Sequence, residues 1–289
     1  MPKTLEIILG PTAVGKTGYA IARALETGSP VISCDSRQIY QGLPIGTAAP
    51  SKEELAAVQH YFIGTVPVTR NYTAGIYEME ALELVNRLFA QGHDHLVMCG
   101  GSMLYIDAFC YGLDDFPEVP LQLRRHLMDC LQSEGVEVLA GQLKELDPVS
   151  YEELDLSNGQ RVVRALEVSM YTGQPFSSFK TRSFKQRDFK IVKTGLERPR
   201  EQLYERINAR VEQMVADGLE GEARTMLPYR ELPALQTVGY REFFAYFDGK
   251  EDLETTVRHI QANTRHYAKR QLTWWRRDGD IRWVDVSSK

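Results

Sequence analysis

A phosphate-binding loop near the beginning of the sequence limits the possible folds more than any other feature. The segment GPTAVGKT, residues 10–17, follows the apolar run LEIIL and precedes KTGYAIARALETG, a run of good helix formers that ends in Gly28. The Gly-x4-Gly-Lys-Thr spacing lets backbone N–H groups and the N-terminus of the next helix converge on phosphate oxygens. In this setting Lys16 neutralises a terminal phosphate, and Thr17 offers its hydroxyl to Mg²⁺ or to phosphate.

The order of strand and helix patterns predicts an α/β fold. After the loop and its helix come the strand patterns PVISCD, HLVMC at 95–99 and FKIVKTGLE at 189–197, as expected for a parallel sheet. From about Asp114 the acidic linker DDFPEVP leads into three amphipathic helical patterns, LQLRRHLMDCLQSEG, VEVLAGQLKELDP and QRVVRALEVSMYTG. We predict a P-loop core with a parallel sheet over residues 1–112 and 189–289, interrupted by a mainly helical insertion over 113–188.

Two long helices are predicted after the last of these strands. The first, residues 199–218, has Pro199 near its first turn and an apolar face made by Leu203, Ile207, Val211 and Met214. The second, residues 257–277, contains six Lys or Arg and no acidic residue. Its cations fall on one side (Arg258, Arg265, Lys269 and Arg276, flanked by His266, Arg270 and Arg277), and its apolar residues on the other (Val257, Ile260, Tyr267, Ala268 and Trp275).

Composition limits the function classes. The chain has 289 residues, 43% hydrophobic and 25% charged, with a net charge of −5. It has no run of about 20 apolar residues and no signal-peptide pattern, so we expect a cytoplasmic protein that does not enter membranes. Four scattered cysteines predict buried free thiols. The basic helix stands out against the negative net charge and suggests a polyanion partner, although such a stretch by itself is more often a solvated helix face. Trp274 and Trp275 are expected in the core.

The fate of the bound phosphate depends on nearby carboxylates. Asp35 directly follows the second predicted strand, at the edge of the sheet where α/β proteins bind ligands. A carboxylate there can act as a general base, or it can simply cap the turn DSRQ. The strand HLVMC ends without the aspartate with which motor and switch ATPases hold Mg²⁺. The residues alone favour a small-molecule kinase and an enzyme with a diphosphate leaving group equally.

Seven motifs taken together resemble the tRNA dimethylallyltransferase family, also called tRNA isopentenyltransferases. They follow the family's order and approximate spacing from residue 10 to residue 277, and they are GPTAVGKT, DSRQIYQGLPIGTAAPS, YTAGIYEMEAL, GGSMLY, QRVVRALEV..TG, QTVGYRE and KRQLTWWRR. Val14 replaces a small residue and Ser102 a frequent threonine, but the loop backbone and the hydroxyl group are kept. The resemblance implies a P-loop core interrupted by a helical insertion, which agrees with the predicted break.

The resemblance also implies a reaction and its residues. The family moves a dimethylallyl group from dimethylallyl diphosphate to N6 of the adenosine just 3′ of a tRNA anticodon. Asp35 would take the amine proton, while the loop and Mg²⁺ would stabilise the departing diphosphate. Thr12 and Arg210 would lie near the diphosphate, although Arg206, four residues earlier, leaves open that one of the two arginines is a solvated helix face. The implied diphosphate ligands are Gly10, Thr12, Ala13, Val14, Gly15, Lys16 and Thr17, with Thr17 also the metal ligand.

The implied partner is the anticodon stem-loop of tRNA, and no obligate protein partner is evident. By resemblance, the core and the insertion both contact it, through Asp35, Ser36, Arg37, Gln38, Ser102, Gln160, Arg161, Arg164, Gln236, Gly239, Tyr240, Arg241, Lys269, Arg270 and Arg276. An isopentenyltransferase acting on free nucleotides would share the loop and Asp35 but would not need the basic helix. A kinase would need arginines that close over ATP, and a nonenzymatic tRNA-binding protein would have no use for a phosphate loop beside Asp35.

Overall fold

The computed structural model describes residues 3–181 and 185–287. The chain forms two compact units, one made of Met1–Cys110 and Gln186–Lys289 and the other of Tyr111–Lys185. The sequence patterns place the insertion at 113–188, and the second unit begins two residues earlier and ends three residues earlier. Among the described residues, no helix combines the length and the apolar character needed to cross a membrane.

A six-stranded sheet forms the centre of the first unit. All neighbouring strands are parallel, and their order is β3-β2-β4-β1-β5-β6. The strands are β1 (Thr4–Leu9), β2 (Val31–Ser33), β3 (His60–Tyr61), β4 (His95–Cys99), β5 (Lys190–Glu197) and β6 (Ile281–Asp285). The apolar runs predicted as strands correspond to β1, β2, β4 and β5, so the predicted parallel sheet of an α/β fold is confirmed.

The carboxyl ends of the inner strands bring three loops together. Cys99 ends β4 opposite Ile8 of β1 and Ser33 of β2. The amide of Cys34 then donates to the carbonyl oxygen of Cys99 (2.8 Å), and the amide of Gly100 donates to that of Ile8 (3.1 Å). A Cβ at Gly100 would lie 2.5 Å from the carbonyl carbon of Cys34, so this close approach requires glycine. The loops after β1, β2 and β4 therefore share one edge of the sheet.

Helices cover the sheet of the first unit and pack through apolar faces. They are α1 (Lys16–Thr27), α2 (Lys52–Ala57), α3 (Ala74–Ala90), α4 (Met103–Tyr111), α9 (Arg200–Ala216), α10 (Leu219–Thr225), α11 (Tyr240–Phe247) and α12 (Leu253–Trp275), with a 3-10 turn at Leu227–Tyr229. The predicted face of α9 is correct, since Leu203, Ile207 and Val211 are buried and Met214 is half-buried. Ala268 of α12 packs in one apolar cluster with Leu203 and Ile207 of α9 and with Ala13 and Val14 of the phosphate loop. The helices α9 and α12 therefore lie beside the phosphate loop.

The second unit is helical. It contains α5 (Leu121–Glu134), α6 (Val136–Leu146), α7 (Pro148–Glu153), α8 (Gly159–Thr172) and a 3-10 helix at Phe176–Phe179. Its core includes Leu139, Leu143 and Leu166. The short α7 lies outside the predicted patterns. It is fixed by the buried Asp147, which accepts a hydrogen bond from the amide of Ser150 and so caps the helix.

Two strands lie outside the predicted patterns. No strand was predicted after 189–197, but β6 pairs with β5 at the edge of the sheet. Its sequence IRWVD is short and carries a charged residue, Arg282, which is exposed. Such an edge strand depends on pairing with a neighbour rather than on an apolar run of its own. The two-residue β3 at the opposite edge is too short for a periodic pattern.

Candidate active site

The phosphate loop adopts a backbone that few residues tolerate. Gly10 and Gly15 have φ values of 146° and 110°, and Ala13 has φ 64°, in the left-handed region. A Cβ at Gly10 would lie 2.6 Å from the carbonyl oxygen of Leu196 in β5, so glycine is required there. The helix α1 begins directly after Gly15. Its free N–H groups and the loop amides therefore form one anion-binding end.

Lys16 is held inside the loop. Its Nζ donates to the carbonyl oxygens of Gly10 and Pro11, each at 2.9 Å. Burial lowers the pKa of the ammonium group to about 8, and repulsion from Arg210 acts in the same direction. An anion bound beside this ammonium group would favour its charged form and raise the pKa again.

Three arginines converge on the cavity above the loop, which has a volume of about 660 Å³. Arg198 donates from Nε to the carbonyl oxygen of Val14 (3.0 Å), and Arg206 donates from Nε to that of Ala13 (2.9 Å). Arg210 also lines the cavity, and it makes no hydrogen bond or ion pair with any residue that the structure describes. Both Arg206 and Arg210 thus line the phosphate-loop cavity, Arg210 half-buried and Arg206 with an exposed side chain whose Nε contacts the loop.

A second cavity, of about 410 Å³, adjoins the first. Thr12, Asp35 and Arg210 line both cavities, so these three residues lie where the two meet. The second cavity is lined by polar and basic residues that the sequence assigned to tRNA, namely Ser36, Arg37, Gln236, Gly239, Arg241 and Arg270. One cavity is therefore built around a phosphate loop, and the other is lined by cations and hydrogen-bonding groups.

Asp35 is half-buried at the junction of the cavities. Its Oδ1 accepts hydrogen bonds from the amides of Arg37 (2.8 Å) and Gln38 (3.2 Å). Asp35 therefore caps the turn, as one of the two alternatives predicted. The capping uses only one carboxylate oxygen, because Oδ2 has no hydrogen-bond partner in the described part of the chain. The two roles considered for Asp35 are compatible.

The residues after Asp35 are held by neighbouring loops. The amide of Ser36 donates to Ser102 Oγ (2.7 Å), and the Ser102 hydroxyl donates to Ser36 Oγ (3.0 Å). Arg37 donates from Nη1 to the carbonyl oxygen of Pro233 (2.9 Å). Gln38 donates to the carbonyl oxygen of Ala48 (2.9 Å), and Ala48 lines both cavities. These contacts fix the shape of the second cavity.

Tyr240 occupies a different place from its predicted neighbours. It is fully buried, and its hydroxyl donates to Glu222 Oε1 (2.6 Å). Glu222 also accepts hydrogen bonds from the amides of Ile45 and Gly46. Tyr240 thus supports the loop that includes Gly46, and its side chain is not available to an external partner. Gln236 and Arg241 are exposed, whereas Gly239 is buried with φ 99°.

The cationic line predicted on the basic helix is mostly paired in the structure. Arg258 forms an ion pair with Glu254, Arg265 donates to Asn208 Oδ1 (2.6 Å), and Arg276 pairs with Glu197. Arg258 and Arg276 are exposed and Arg265 is half-buried, and each of the three meets an acceptor on its own or a neighbouring element. Lys269 is exposed and has no ion pair within the described ranges. Arg270 is also exposed and lies over the ring of Tyr267, 5.7 Å from its centroid.

The predicted tRNA contacts of the second unit lie at the start of α8. Gln160 and Arg161 are exposed. Arg164 is half-buried, forms an ion pair with the buried Glu167 (2.6 Å) and lies over the ring of Phe116. Gln160 and Arg161 therefore present free surface, and Arg164 contributes mainly to packing within this unit.

Magnesium would be held with few protein ligands. The described residues contain no group of three or more His, Cys, Asp or Glu side chains arranged to hold a metal. Mg²⁺ commonly binds through substrate phosphates and water with only one or two protein groups. Thr17, at the first turn of α1, and the carboxylates of Asp35 and Glu54 all line the phosphate-loop cavity. This donor set fits an ion that arrives with a diphosphate.

Several residues of the site were not predicted from the sequence. Arg198 and Arg206 hold loop carbonyls, and Tyr267 and Gln271 of α12 line the phosphate-loop cavity. Tyr267 was expected only on the apolar face of its helix. The arginine in RPRE directly after β5 was a usable signal, because it follows a strand end at the ligand-binding edge. The sequence around Gln271 contains no comparable signal.

Fold and site together define a P-loop α/β protein whose phosphate cavity opens into a second, basic cavity. The family model described as IPP transferase matches residues 38–278. The chain is 47% identical to tRNA dimethylallyltransferase 1 of Phocaeicola vulgatus over 98% of this chain and 94% of the relative, and 50% identical to tRNA dimethylallyltransferase 2 of Porphyromonas gingivalis over 97% and 93%. The chain belongs to the IPP transferase family, as the motifs predicted.

Solved structures agree with this assignment. The full-length tRNA isopentenylpyrophosphate transferase of Bacillus halodurans matches with a TM-score of 0.72 at 34% identity, over 99% of this chain and 91% of that one. A eukaryotic dimethylallyltransferase acting on tRNA shares the fold, with a TM-score of 0.79 at 24% identity over 99% of this chain and 74% of that chain. The α/β fold predicted from the sequence is thus found in other members of the family.

Proposed function

We propose that this protein transfers the dimethylallyl group of dimethylallyl diphosphate to N6 of the adenosine 3′ of a tRNA anticodon and releases diphosphate. The observation that carries the proposal is the position of Asp35, which lies where a phosphate-loop cavity meets a second cavity with basic walls. A small-molecule kinase has less support, because the second cavity beside Asp35 is lined by Arg37, Arg241 and Arg270, which suit a polyanionic acceptor. Such an enzyme is expected to work in the cytoplasm, where tRNA is matured.

The donor would bind with its diphosphate in the loop. Lys16, Arg210 and the loop residues line the cavity in which negative charge would grow as the allylic C–O bond breaks. Preorganised donors of this kind stabilise a developing anion without rearranging first. Thr12, which lines both cavities, would place its hydroxyl beside the bond that breaks.

Asp35 would act on the acceptor. The allylic C–O bond breaks with its electron pair leaving on the diphosphate, and N6 of adenine forms a bond to the same carbon. The nitrogen then loses a proton, which Asp35 Oδ2 accepts. A positioned general base of this kind contributes about 10²–10⁴-fold to the rate. The turn that Oδ1 caps holds the carboxylate in place for this step.

Mg²⁺ would accompany the donor. We propose that Thr17 offers its hydroxyl to the ion, with the remaining positions filled by diphosphate oxygens and water. The ion would neutralise charge on the diphosphate. Asp35 and Glu54 lie in the same cavity wall and would attract it.

The tRNA would be held by basic and polar groups of both units, most of them exposed or half-buried. In the first unit we propose Ser36, Arg37, Gln38, Ser102, Gln236, Arg241, Lys269, Arg270 and Arg276, and in the second Gln160, Arg161 and Arg164. Anticodon loops are single-stranded, so the target adenine can be turned out of the loop at modest cost and enter a cavity. Tyr240 is omitted because its side chain is buried.

A labelling experiment tests the substrate. Labelled dimethylallyl diphosphate is incubated with the protein, Mg²⁺ and either unmodified tRNA or AMP. We expect label in tRNA with adenosine 3′ of the anticodon, and little in AMP. Efficient labelling of AMP with tRNA ignored would instead identify an isopentenyltransferase for free nucleotides.

The variant Asp35→Asn tests the base. It keeps the size of the side chain and its capping oxygen but removes the proton acceptor. Single-turnover rates with both substrates saturating should fall by about 10²–10⁴-fold while both still bind. Asp188→Asn, at an exposed position with no hydrogen bond or ion pair to the described residues, is the matched control. A normal rate in Asp35→Asn, with only a lower melting temperature, would leave Asp35 as a turn cap and remove it from the mechanism.

A further inference from the structure

A buried glutamine connects the phosphate loop to the loop after β4. Gln271 of α12 is 1% exposed. Its Oε1 accepts a hydrogen bond from the amide of Thr12 (2.8 Å), and its Nε2 donates to the carbonyl oxygen of Gly101 (2.8 Å). Its two partners are 259 and 170 residues away in sequence. A polar side chain buried this completely at a cavity wall is there for its hydrogen bonds.

The two hydrogen bonds fix the orientation of the amide. Thr12 presents a donor and Gly101 an acceptor, so only a side chain with an acceptor and a donor at this reach satisfies both. Gly101 leaves the space for it, because a Cβ there would lie 2.6 Å from Gln271 Nε2 and 3.7 Å from Lys16 Nζ. Tyr267, one turn earlier on α12, donates to the same Gly101 carbonyl oxygen (3.2 Å). The loop after β4 is thus tied twice to α12.

The hydrogen bond to Gln271 constrains the phosphate loop at Thr12. Its amide is committed to Gln271 and is not free for phosphate, so this bond sets the path of the loop at the residue that lines both cavities. If Gln271 were absent, the Thr12 amide would lose its hydrogen-bond partner at a half-buried site, while the Gly101 carbonyl would keep the hydrogen bond from Tyr267, and the loop would relax toward other acceptors. A shift of about 1 Å in a group beside the reacting atoms is enough to cost 10²-fold in rate.

We propose that Gln271 is a positioning residue, which holds Thr12 and the Gly101 turn in the arrangement required for transfer of the dimethylallyl group. The inference rests on the proposed function for its effect on the rate. The placement of the phosphate loop by Gln271 does not depend on the identity of the acceptor. Gln271 itself touches no reacting atom, so it acts through Thr12.

The test compares Gln271→Met with Gln271→Glu. Methionine keeps the length and volume but neither hydrogen bond. A protonated glutamate keeps both, because its carbonyl oxygen accepts from Thr12 and its O–H donates to Gly101. An ionised glutamate accepts from Thr12 but places a second acceptor against the Gly101 carbonyl. Gln202→Glu, at an exposed position on α9, controls for the added charge.

The pH dependence separates positioning from general packing. Four other ionisable groups line the same cavity and are present in the wild type and in every variant, namely Lys16, Asp35, Tyr267 and Arg210. Each variant's rate is therefore divided by the wild-type rate at the same pH. Single-turnover rates are measured with saturating substrates from pH 5.5 to pH 8, together with melting curves. We expect Gln271→Met to be at least tenfold slower at every pH. We expect Gln271→Glu to be as slow at pH 8 and to approach the wild type at pH 5.5.

A binding measurement keeps the inference separate from the proposed function. The affinity for inorganic pyrophosphate at pH 7.5 is compared in the wild type and Gln271→Met, and we expect it to fall by about fivefold because the loop is no longer held. Unchanged affinity together with rates within twofold of the wild type would overturn the inference, as would a deficit of Gln271→Glu that does not change with pH. If the wild type transfers nothing to tRNA, the proposed function fails, and the pyrophosphate affinities alone decide on Gln271.

Discussion

Raising the pH above 8 should weaken diphosphate binding through the titration of Lys16. In the ligand-free protein, burial lowers the pKa of this ammonium group from its ordinary 10.5 to about 8, and repulsion from Arg210 adds to the effect. A diphosphate in the loop favours the charged form, so the pKa in the complex should return to its ordinary range. Binding must then be accompanied by uptake of a proton wherever the free protein has lost one.

The size of the effect follows from these two pKa values. With a pKa of about 8 in the free protein and about 10.5 in the complex, binding takes up ~0.5 proton at pH 8 and ~0.9 proton at pH 9. By the same linkage the affinity should fall ~5-fold between pH 8 and pH 9 and ~7-fold more between pH 9 and pH 10. Below pH 7 the ammonium is charged in both states, so Lys16 adds no pH dependence there.

Calorimetry with dimethylallyl diphosphate and EDTA, without tRNA, measures the affinity and the number of protons taken up. The proton number comes from repeating the titration in two buffers with different ionisation enthalpies. Burial raises the pKa of the Cys99 thiol to about 12 and also raises the pKa of the Tyr267 hydroxyl, so neither group accounts for changes between pH 8 and pH 9. Lys16→Arg stays charged over the range and should bind with constant affinity. Constant affinity of the wild type, or an equal fall in Lys16→Arg, would refute the reasoning.

Three further outcomes are expected. Without ligand, the wild type should gain stability relative to Lys16→Met as the pH rises from 8 to 10, because the unfolded chain then binds more protons than the folded one; paired melting curves test the sign. Tyr240→Phe should lower the free energy of unfolding by ~1–2 kcal/mol and leave tRNA affinity within twofold, since its hydroxyl is committed to Glu222; a tenfold loss of affinity at normal stability would return Tyr240 to the interface. Lys269→Ala should flatten the slope of log tRNA affinity against log salt by ~0.7–0.9. Replacing the ion-paired Arg258 with alanine should change this slope less. A slope unchanged by Lys269→Ala would exclude a phosphate contact at Lys269.

Local patterns predicted the parts of the fold whose causes are local. The phosphate loop, its flanking strand and α1 could be found because glycine spacing, an apolar run and a helical run adjoin one another in the sequence. The position of Asp35 also followed, because the residue after a parallel strand lies at the ligand-binding edge of the sheet. The edge strand β6 could not be found, because its stability comes from pairing with β5, and paired residues such as Glu197 and Asp285 lie 88 residues apart in the sequence.

The site was less predictable than the fold, because its contacts join distant segments. Gln271 has the sequence context of a polar residue on a basic helix, and only the packing of α12 against the sheet edge turns it toward Thr12. Arg276 has the context of an exposed cation, yet it meets Glu197, 79 residues earlier, and the ring of Trp283. Helical periodicity predicts the direction in which a side chain points, but it does not predict which residue that side chain will contact.

The electrostatic design of the site also depends on long-range assembly. A chain with a net charge of −5 brings Lys16, Arg198, Arg206 and Arg210 to one cavity. Arg198 and Arg206 each use Nε to hold a carbonyl oxygen of the phosphate loop, which turns two carbonyl dipoles toward these arginines. Arg210 has no such partner among the described residues, and Lys16 holds only carbonyl oxygens of its own loop. Arg198, Arg206 and Lys16 therefore hold loop carbonyl oxygens before a ligand arrives, and Arg210 remains for the diphosphate, so the leaving group meets charges that need little rearrangement.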